Sequence, residues 1–454
     1  MNKLRFVLCS ITAGLLATSV QADQLLSGTI SSKAGGTLDG VTVSAKREGS
    51  TITTSVYTDA QGNYYFPALP EGKYNVWANA LGFEHARATV TLDAKRKQNL
   101  TLAPITDREA RYRQLPGELM VAGLPEATPE DAFMKKIFTN NCTACHTPSY
   151  VLQFKFDEAG WNKIIDLMKV VPNNGVHPGA TAKPSPILER IQPRLAAYLA
   201  RARGPGESSM KITARPRPTG EAARAVWTLY DLQLNPDAGI GTRYVANDGT
   251  DWAMGTTSKL GQLPHDGGLG LDGTIYFTVN NPNRLATIGK VDPKTGAVKF
   301  IKADAANGIA ANAHGLVRDS DGNFWFDVNP GRRALGKLDV KTDVISIYQT
   351  PASMSPLGGA VTMDVDGKGK IWASTPVGAV RFDPQTEKFT EFKSVNYKTP
   401  NGNAMTYGVA ADRHGNGWWA QMGSDTIGKG NIATGKSEEF KQVGGELYIP
   451  IQPV

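Results

Sequence analysis

Cysteine is scarce in this 454-residue chain: there are three, Cys9, Cys142 and Cys145. That excludes a disulfide-stapled scaffold. Long apolar runs are also missing. After Phe6–Leu16 no stretch is apolar and long enough to cross a bilayer, so no integral membrane segment is expected downstream. An excess of one charge is lacking too. The formal net charge is +7, from 49 basic and 42 acidic residues that are mostly scattered, and no nucleic-acid motif accompanies it. The local basic run Arg201, Arg203, Lys211, Arg215 and Arg217 reads as a solvated linker. What is plentiful is turn chemistry: 48 Gly and 27 Pro point to a β-rich chain. At about 100–200 residues per domain, the length predicts two to four domains.

The N-terminus has the composition of an export signal. Lys3 and Arg5 precede the apolar Phe6–Leu16, and Val20-Gln21-Ala22 supplies small residues where a signal peptidase reads. Cleavage after Ala22 is expected, leaving 47 basic against 42 acidic residues and a periplasmic protein. Cys9 lies inside the apolar core behind the bulky Leu8, which disfavours lipidation. The mature chain then keeps only Cys142 and Cys145.

Residues 23–104 alternate in short runs such as Val41-Thr42-Val43-Ser44-Ala45 and Tyr74-Asn75-Val76-Trp77-Ala78, the pattern of half-buried strands. Thr58-Asp59-Ala60-Gln61-Gly62-Asn63-Tyr64-Tyr65-Phe66 places an Asp-x-x-Gly turn before an aromatic strand, and Leu69-Pro70-Glu71-Gly72-Lys73-Tyr74 repeats the device. The segment, from Gly28 to Gly82-Phe83, resembles the carboxypeptidase regulatory-like domain, a transthyretin-like sandwich within the carbohydrate-binding-like folds. The resemblance implies a fold and an accessory role, docking or contact with a carbohydrate or polymer, rather than chemistry.

Residues 105–129 read as a linker. Residues 130–204 are helical in character: Asp131–Thr139, then Trp161 to Met168 with apolar residues at 161, 164, 165 and 168, then 185–202 with Leu195, Tyr198 and Leu199 on one face. A second linker spans 205–224, which puts Met210 outside the helical domain. Residues 225–454 repeat. Tyr276, Trp325, Trp372 and Trp418 each follow a turn, at steps of 49, 47 and 46 residues. Strands of the type Leu335-Gly336-Lys337-Leu338-Asp339 follow in turn. A period in the forties marks propeller blades. Four blades are clear and a weaker one is expected around Trp227–Leu260. The repeats resemble the streptogramin lyase (virginiamycin B lyase) propeller, with His314-Gly315-Leu316 ahead of 319–325 as the most typical passage. Tyr448-Ile449-Pro450-Ile451 reads as a strand of an uncompleted blade, so the propeller is open or complete with a degenerate blade. The fold class is therefore multidomain and mainly β: a sandwich, a small all-α domain and a C-terminal propeller.

Chemistry concentrates at Cys142-Thr143-Ala144-Cys145-His146. Two thiols one helical turn apart reach the two vinyl groups of a haem, and the adjoining imidazole meets the iron. A redox dithiol is the alternative, but no βαβ pattern surrounds it. The flanking helices resemble the class I cytochrome c fold, which implies one covalent haem c on Cys142 and Cys145, with His146 as proximal ligand and Phe138 covering the ring. The sixth position is open between Met168, His177 and no protein ligand. Such a protein implies a redox partner protein or a small-molecule electron donor.

The streptogramin lyase resemblance implies a histidine base and a divalent metal held by acidic residues. His265, His314 and His414 stand near blade starts. Val279 and Val328, however, occupy the place where the family carries an acid, and only Asp327 is acidic nearby. Asp319-Ser320-Asp321-Gly322-Asn323 looks like a calcium loop but lacks the distal bidentate Glu, so a β-turn explains it better. The expected function is haem-mediated electron transfer with the β domains as docking modules. The alternatives are a haem-linked dehydrogenase of a small substrate and a streptogramin-lyase-like enzyme using His265, His314 and Asp327.

Overall fold

The computed structural model describes residues 26–143, 147–170, 186–232, 249, 264–279, 286–303, 311–328, 334–354, 362–396, 398–399, 402–403, 406–421 and 426–441. The signal sequence, Cys145, His146, His177 and the C-terminal strand expected at 448–451 lie outside these residues. So does the question of propeller closure. The chain forms two compact units, one built on the N-terminal sandwich and one containing the helical segment and the blades.

In the sandwich, β1 (Leu26–Ser32) pairs antiparallel with β4 (Asn63–Tyr65) and parallel with β7 (Arg96–Lys97) and β8 (Leu100–Leu102). The second sheet runs in the order β6 (Ala86–Leu92), β5 (Gly72–Asn79), β2 (Thr42–Arg47), β3 (Ile52–Tyr57), β9 (Trp227–Tyr230). Alternation decides which residues meet. Leu26 and Ile30 face inward from β1 and join Val43, Tyr64, Phe66, Val76, Leu92 and Leu102 in one core. β9 corrects the expected propeller start near 225: Trp227–Tyr230 is the edge strand of a sandwich sheet, and the first described blade begins at Pro264.

The helical segment holds α1 (Arg108–Arg113), α2 (Gly117–Ala122), α3 (Pro129–Cys142), α4 (Pro148–Leu152), α5 (Glu158–Val170) and α6 (Pro186–Arg203). α3 begins at Thr128, whose hydroxyl accepts from the Asp131 amide at 3.1 Å, with Pro129 in the first turn. It packs on α6, as does α5. Met134 and Phe138, Trp161 and Ile165, and Leu195, Tyr198 and Leu199 meet in one core. Three linker expectations are corrected here. Residues 105–129 contain α1 and α2, whose Tyr112, Met120 and Leu124 belong to that core. The chain after α6 turns back, because the Ser208 hydroxyl donates to the Ala202 carbonyl and accepts from the Met210 amide. Met210 is thereby buried in the helical core instead of lying outside it. And the basic run is not simply solvated: Arg203 is fully buried and Arg201 pairs with Asp131 at 2.6 Å.

Four antiparallel four-stranded meanders follow. They are β10–β13 (Pro264–Leu269, Ile275–Val279, Ile288–Val291, Val298–Ile301), β14–β17 (Leu316–Arg318, Phe324–Val328, Ala334–Asp339, Val344–Gln349) and β18–β21 (Met363–Val365, Ile371–Thr375, Gly378–Asp383, Lys388–Lys393). After a hairpin of β22 (Lys398–Thr399) and β23 (Gly402–Asn403) come β24–β27 (Thr406–Ala411, Gly417–Gln421, Thr426–Asn431, Lys436–Lys441). The first strands of successive sheets adjoin, as blades do. The repeated aromatics all lie on second strands, and Tyr276, Trp325 and Trp372 pack into the next blade. Trp325 joins Ile371 and Phe382, and Trp372 joins Trp419. On the third strand, Gly336 lies opposite Phe326, whose ring would stand 2.3 Å from a Cβ there, so only glycine lets the ring lie flat on the strand.

In three of the four described blades the turn before the second strand is built by one aspartate, whose place in the first is taken by Gly270. Asp319 Oδ1 accepts the amides of Asp321 and Asn323, and Oδ2 accepts the Trp325 indole at 2.9 Å. Asp366 and Asp412 repeat the arrangement with Trp372 and Trp418. The turn glycine, Gly322, takes a left-handed φ of 92°. Hydrogen bonding within the turn thus accounts for the calcium-loop likeness. Burial pushes the Asp412 carboxyl up, but bonds from Asn416, Trp418 and the His414 amide outweigh it and hold the group at about 2. A folded pKa below the unfolded one stabilises above the unfolded value, near 3.9, and that contribution disappears as pH falls through the folded value. Stability of the blades should therefore decline between about pH 4 and 2. Asp412→Asn should lower stability at pH 7 and flatten that acid limb, as read by urea unfolding across pH; an unaltered limb would count against the assignment. Asp383, held at about 2 by Lys370, keeps a residual slope in the same window.

Candidate functional site

Two groups of side chains carry chemistry. The first lies at the end of α3. Its last turn is tied down by side chains: Thr139 donates to the Lys135 carbonyl, Asn141 to that of Ile137, and Thr143 to that of Thr139 at 2.7 Å. Cys142 is the last helical residue and is half-buried against the helical core. Cys145 and His146 lie outside the described residues, as does His177. Phe138 is fully buried in the core. Met168 is not: it is 43% exposed on α5, beside Leu167 at 52%, while Trp161 and Ile165 on the same helix are buried. A network of Lys169, Gln192, Asp166 and the Asn162 carbonyl fastens α5 to α6. Phe154, just after α4, is likewise exposed.

Composition did not mark Arg203 as part of this region. Its Nε donates to the Leu152 carbonyl at 2.6 Å, and its Nη2 donates to Glu109 Oε2 at 2.8 Å and to the Gln153 carbonyl at 3.0 Å. The guanidinium stacks 4.4 Å from the centre of the Tyr112 ring. Its Nη1 is buried with no hydrogen-bond partner among the described residues. Lys155 Nζ reaches the other oxygen of Glu109 at 3.4 Å. Burial would raise the Glu109 carboxyl, but Arg203 and Lys155 outweigh it and keep the group below its ordinary value.

The second group joins three blades. His265 on β10 and His314 just before β14 bring their rings to a centroid separation of 3.4 Å, and His265 Nδ1 lies 3.0 Å from the His314 carbonyl. His314 Nε2 lies 3.0 Å from the hydroxyl of Tyr407 on β24. Burial, helped by the charges of Asp327 and Asp266, pushes that hydroxyl above its usual range, so it stays protonated. The carboxylates here are spent on backbone. Asp327 Oδ1 accepts the His314 and Gly315 amides at 2.5 and 2.8 Å, and Asp266 Oδ2 accepts the Leu316 amide at 3.0 Å. The Thr278 hydroxyl donates to the His314 carbonyl. His265 and His314 thus meet, whereas His414 lies exposed in the Asp412 turn. Among the described residues no three His, Cys, Asp or Glu side chains converge as a metal site.

Comparison with known proteins places part of the chain. Residues 26–103 match the carboxypeptidase regulatory-like domain. No curated protein matches the chain as a whole. Among solved structures, virginiamycin B lyase from Staphylococcus aureus is 19% identical, with 39% of this chain and 55% of the lyase covered and a TM-score of 0.32. A catalytically inactive variant of that lyase with quinupristin is 21% identical, covering 49% and 61%, with a TM-score of 0.34. The extracellular domain of a putative one-component system from B. thetaiotaomicron is 12% identical, covering 40% and 25%, with a TM-score of 0.30. The chain spans little more than half the length of the lyases it matches. No described helix is long and apolar enough to cross a membrane.

Asp327 therefore stands as a backbone anchor. Asp327→Ala should leave two amides of a buried loop without an acceptor and cost roughly 3 kcal/mol, and Asp327→Asn roughly 1 kcal/mol. Urea unfolding checks both; equal stability of all three proteins would remove the anchor role.

Proposed function

We propose that this chain is an exported c-type cytochrome. Its helical domain carries one haem on Cys142 and Cys145 with His146 as axial ligand, and the sandwich and propeller dock a redox partner or a polymer. The observation that carries the reading is the Cys-Thr-Ala-Cys-His sequence starting on the last residue of α3, a helix that packs on α6. Two features fit the group. Cys142 already lies against the core. Leu167, Met168 and Phe154 are exposed apolar side chains of the kind a haem face covers. The haem would supply one-electron redox chemistry, while the helices would exclude water from it and hold its thioether links. Exposure of Met168 supports it as the sixth ligand over a packing role, with His177 the alternative. Export follows from the basic, apolar and small-residue order of 1–22.

The test is a pyridine haemochrome spectrum of periplasmic protein. One covalently bound haem per chain is expected, lost in the Cys142→Ala, Cys145→Ala double variant. Met168→Ala should abolish the near-infrared sulfur-to-iron band of the oxidised protein; persistence of the band would transfer the sixth position elsewhere.

A second reading, turnover of a small substrate at the propeller, is favoured by the convergence of His265, His314 and Tyr407. A haem-linked dehydrogenase would show haem reduction on adding candidate alcohols, amines or sugars, lost in His265→Ala. A lyase would open a streptogramin in the presence of magnesium. Inertness to all of these leaves the electron carrier.

A further inference from the structure

We propose that the outer face of the sheet β4-β1-β7 binds an acidic polysaccharide. The proposal rests on the docking role given to the sandwich above, which it makes specific, and does not depend on the haem.

The face is built by alternation. Leu26 and Ile30 of β1 point into the core, so Ser27 and Thr29 point out. Register then sets their neighbours. Ser27 lies beside Tyr65 of β4 on one side and Lys97 of β7 on the other. Thr29 lies beside Asn63, and Asn99 meets it from the far side, its Oδ1 accepting the Thr29 amide at 3.0 Å. With neighbouring strands about 4.8 Å apart, each row of three spans about 10 Å, the reach of a disaccharide. All six residues are exposed or half-buried. On the second sheet, by contrast, the outward Ser44, Ser55 and Trp77 are buried.

Three observations fit a sugar chain bearing negative charge. The first is the ring. Tyr65 is 49% exposed, while Tyr64 and Phe66 on either side of it are fully buried. The π face of a phenol is negative and suits the C–H face of a pyranose, whose hydroxyls then remain free for polar partners. The second is a pair of donors. Asn99 Oδ1 holds the Thr29 amide and Asn63 Oδ1 accepts from Thr29 Oγ1 at 2.9 Å, so each carbonyl oxygen is engaged within the sheet. The Nδ2 group of each asparagine makes no hydrogen bond among the described residues. Two amide donors therefore flank Thr29 in the row next to the ring. The third is charge. Lys97 has no ion-pair partner among the described residues. The nearby carboxylates are engaged elsewhere: Asp93 pairs with Arg96 at 2.7 Å, and Asp59 accepts the Gln61 and Asn63 amides. A lysine alone would only blunt a sheet edge. Beside an exposed ring and two free amides, its unbalanced charge selects an anionic chain over a neutral one.

The experiment uses the full-length protein and its Tyr65→Ala, Asn99→Asp and Lys97→Gln variants. Binding is read by titration calorimetry against polygalacturonate and dextran sulfate. Dextran serves as the uncharged probe, inorganic polyphosphate as an anion without sugar rings, and vesicles of anionic phospholipid as a charged surface. Urea unfolding reports the fold of each variant. The wild-type protein should bind an acidic polymer and not dextran, and salt should weaken binding. Tyr65→Ala should weaken it about tenfold. Asn99→Asp keeps an acceptor for the Thr29 amide, so stability should persist while the lost donor and added charge weaken binding at least as much. Lys97→Gln should weaken it by less and flatten the salt dependence. Unchanged affinity in Tyr65→Ala and Asn99→Asp overturns the proposal, as does failure of the wild-type protein to bind either acidic polymer. Should Asn99→Asp fail to fold, unchanged affinity in Tyr65→Ala and Lys97→Gln overturns it. Dextran bound as tightly as the acidic polymers overturns the acidic occupant and leaves the sandwich a docking module. Polyphosphate or vesicles bound as tightly, with no effect of Tyr65→Ala, give the face to a bare anion or a lipid surface and also overturn it. Haem content bears on the cytochrome reading alone, so the two fail separately.

Discussion

Three of the four described blades depend on one carboxylate each. A four-stranded meander has two faces and cannot bury either alone. Asp319, Asp366 and Asp412 solve two problems with one side chain. Oδ1 gathers turn amides that would otherwise compete for water, and Oδ2 fixes an indole six residues later. The fixed ring then becomes core for the neighbouring blade, as Trp325 does against Ile371 and Phe382. Local turn chemistry is thereby coupled to long-range burial. Asp59 gathers the Gln61 and Asn63 amides in the sandwich in the same way, without an indole to place. There the turn carries the chain from β3 in one sheet to β4 in the other.

The helical segment depends on a different kind of group. Among its described residues the one buried charged side chain is Arg203, whose charge is tolerated because two carbonyls, a carboxylate and an aromatic face surround it. Those contacts join α1, α4 and α6, so the arginine determines how helices from three distant parts of the chain meet. It also explains why residues 105–129 fold at all. α1 and α2 have six residues each, too few to be stable alone, and they persist by adding Tyr112, Met120 and Leu124 to a core they do not create.

That also marks where sequence reading succeeds and where it stops. The blades were legible because their aromatics recur at nearly constant spacing and the Asp-x-x-Gly turns are local. The α3 and α6 packing faces were legible because Phe138, Leu195, Tyr198 and Leu199 follow helical periodicity. The two supposed linkers were not. Six-residue helices hold too few turns to show a period, and the return of Met210 depends on Ser208 bonding Ala202 after a Gly-Pro-Gly break. Trp227–Tyr230 alternates like any strand, and nothing in its composition says which sheet will accept it. Tyr407 could not be linked to His314, since the two are 93 residues apart and meet only because blades are placed side by side. Arg203 was hidden in a basic run whose other members are at the surface.

The two candidate sites differ in how their polar groups are used. In the propeller, Asp266, Asp327 and Thr278 all bond backbone of the His314 loop, and His314 bonds Tyr407. Such a network fixes the relative positions of blades and leaves its acids with little charge to offer a substrate or a metal. In the helical segment the balance is reversed. Among the described residues Arg203 Nη1 has no acceptor, Leu167 and Met168 stand exposed on the helix that buries Trp161 and Ile165, and the half-buried Cys142 ends α3. The blades thus use their carboxylates to hold backbone together, while the helical segment leaves Leu167 and Met168 exposed on α5.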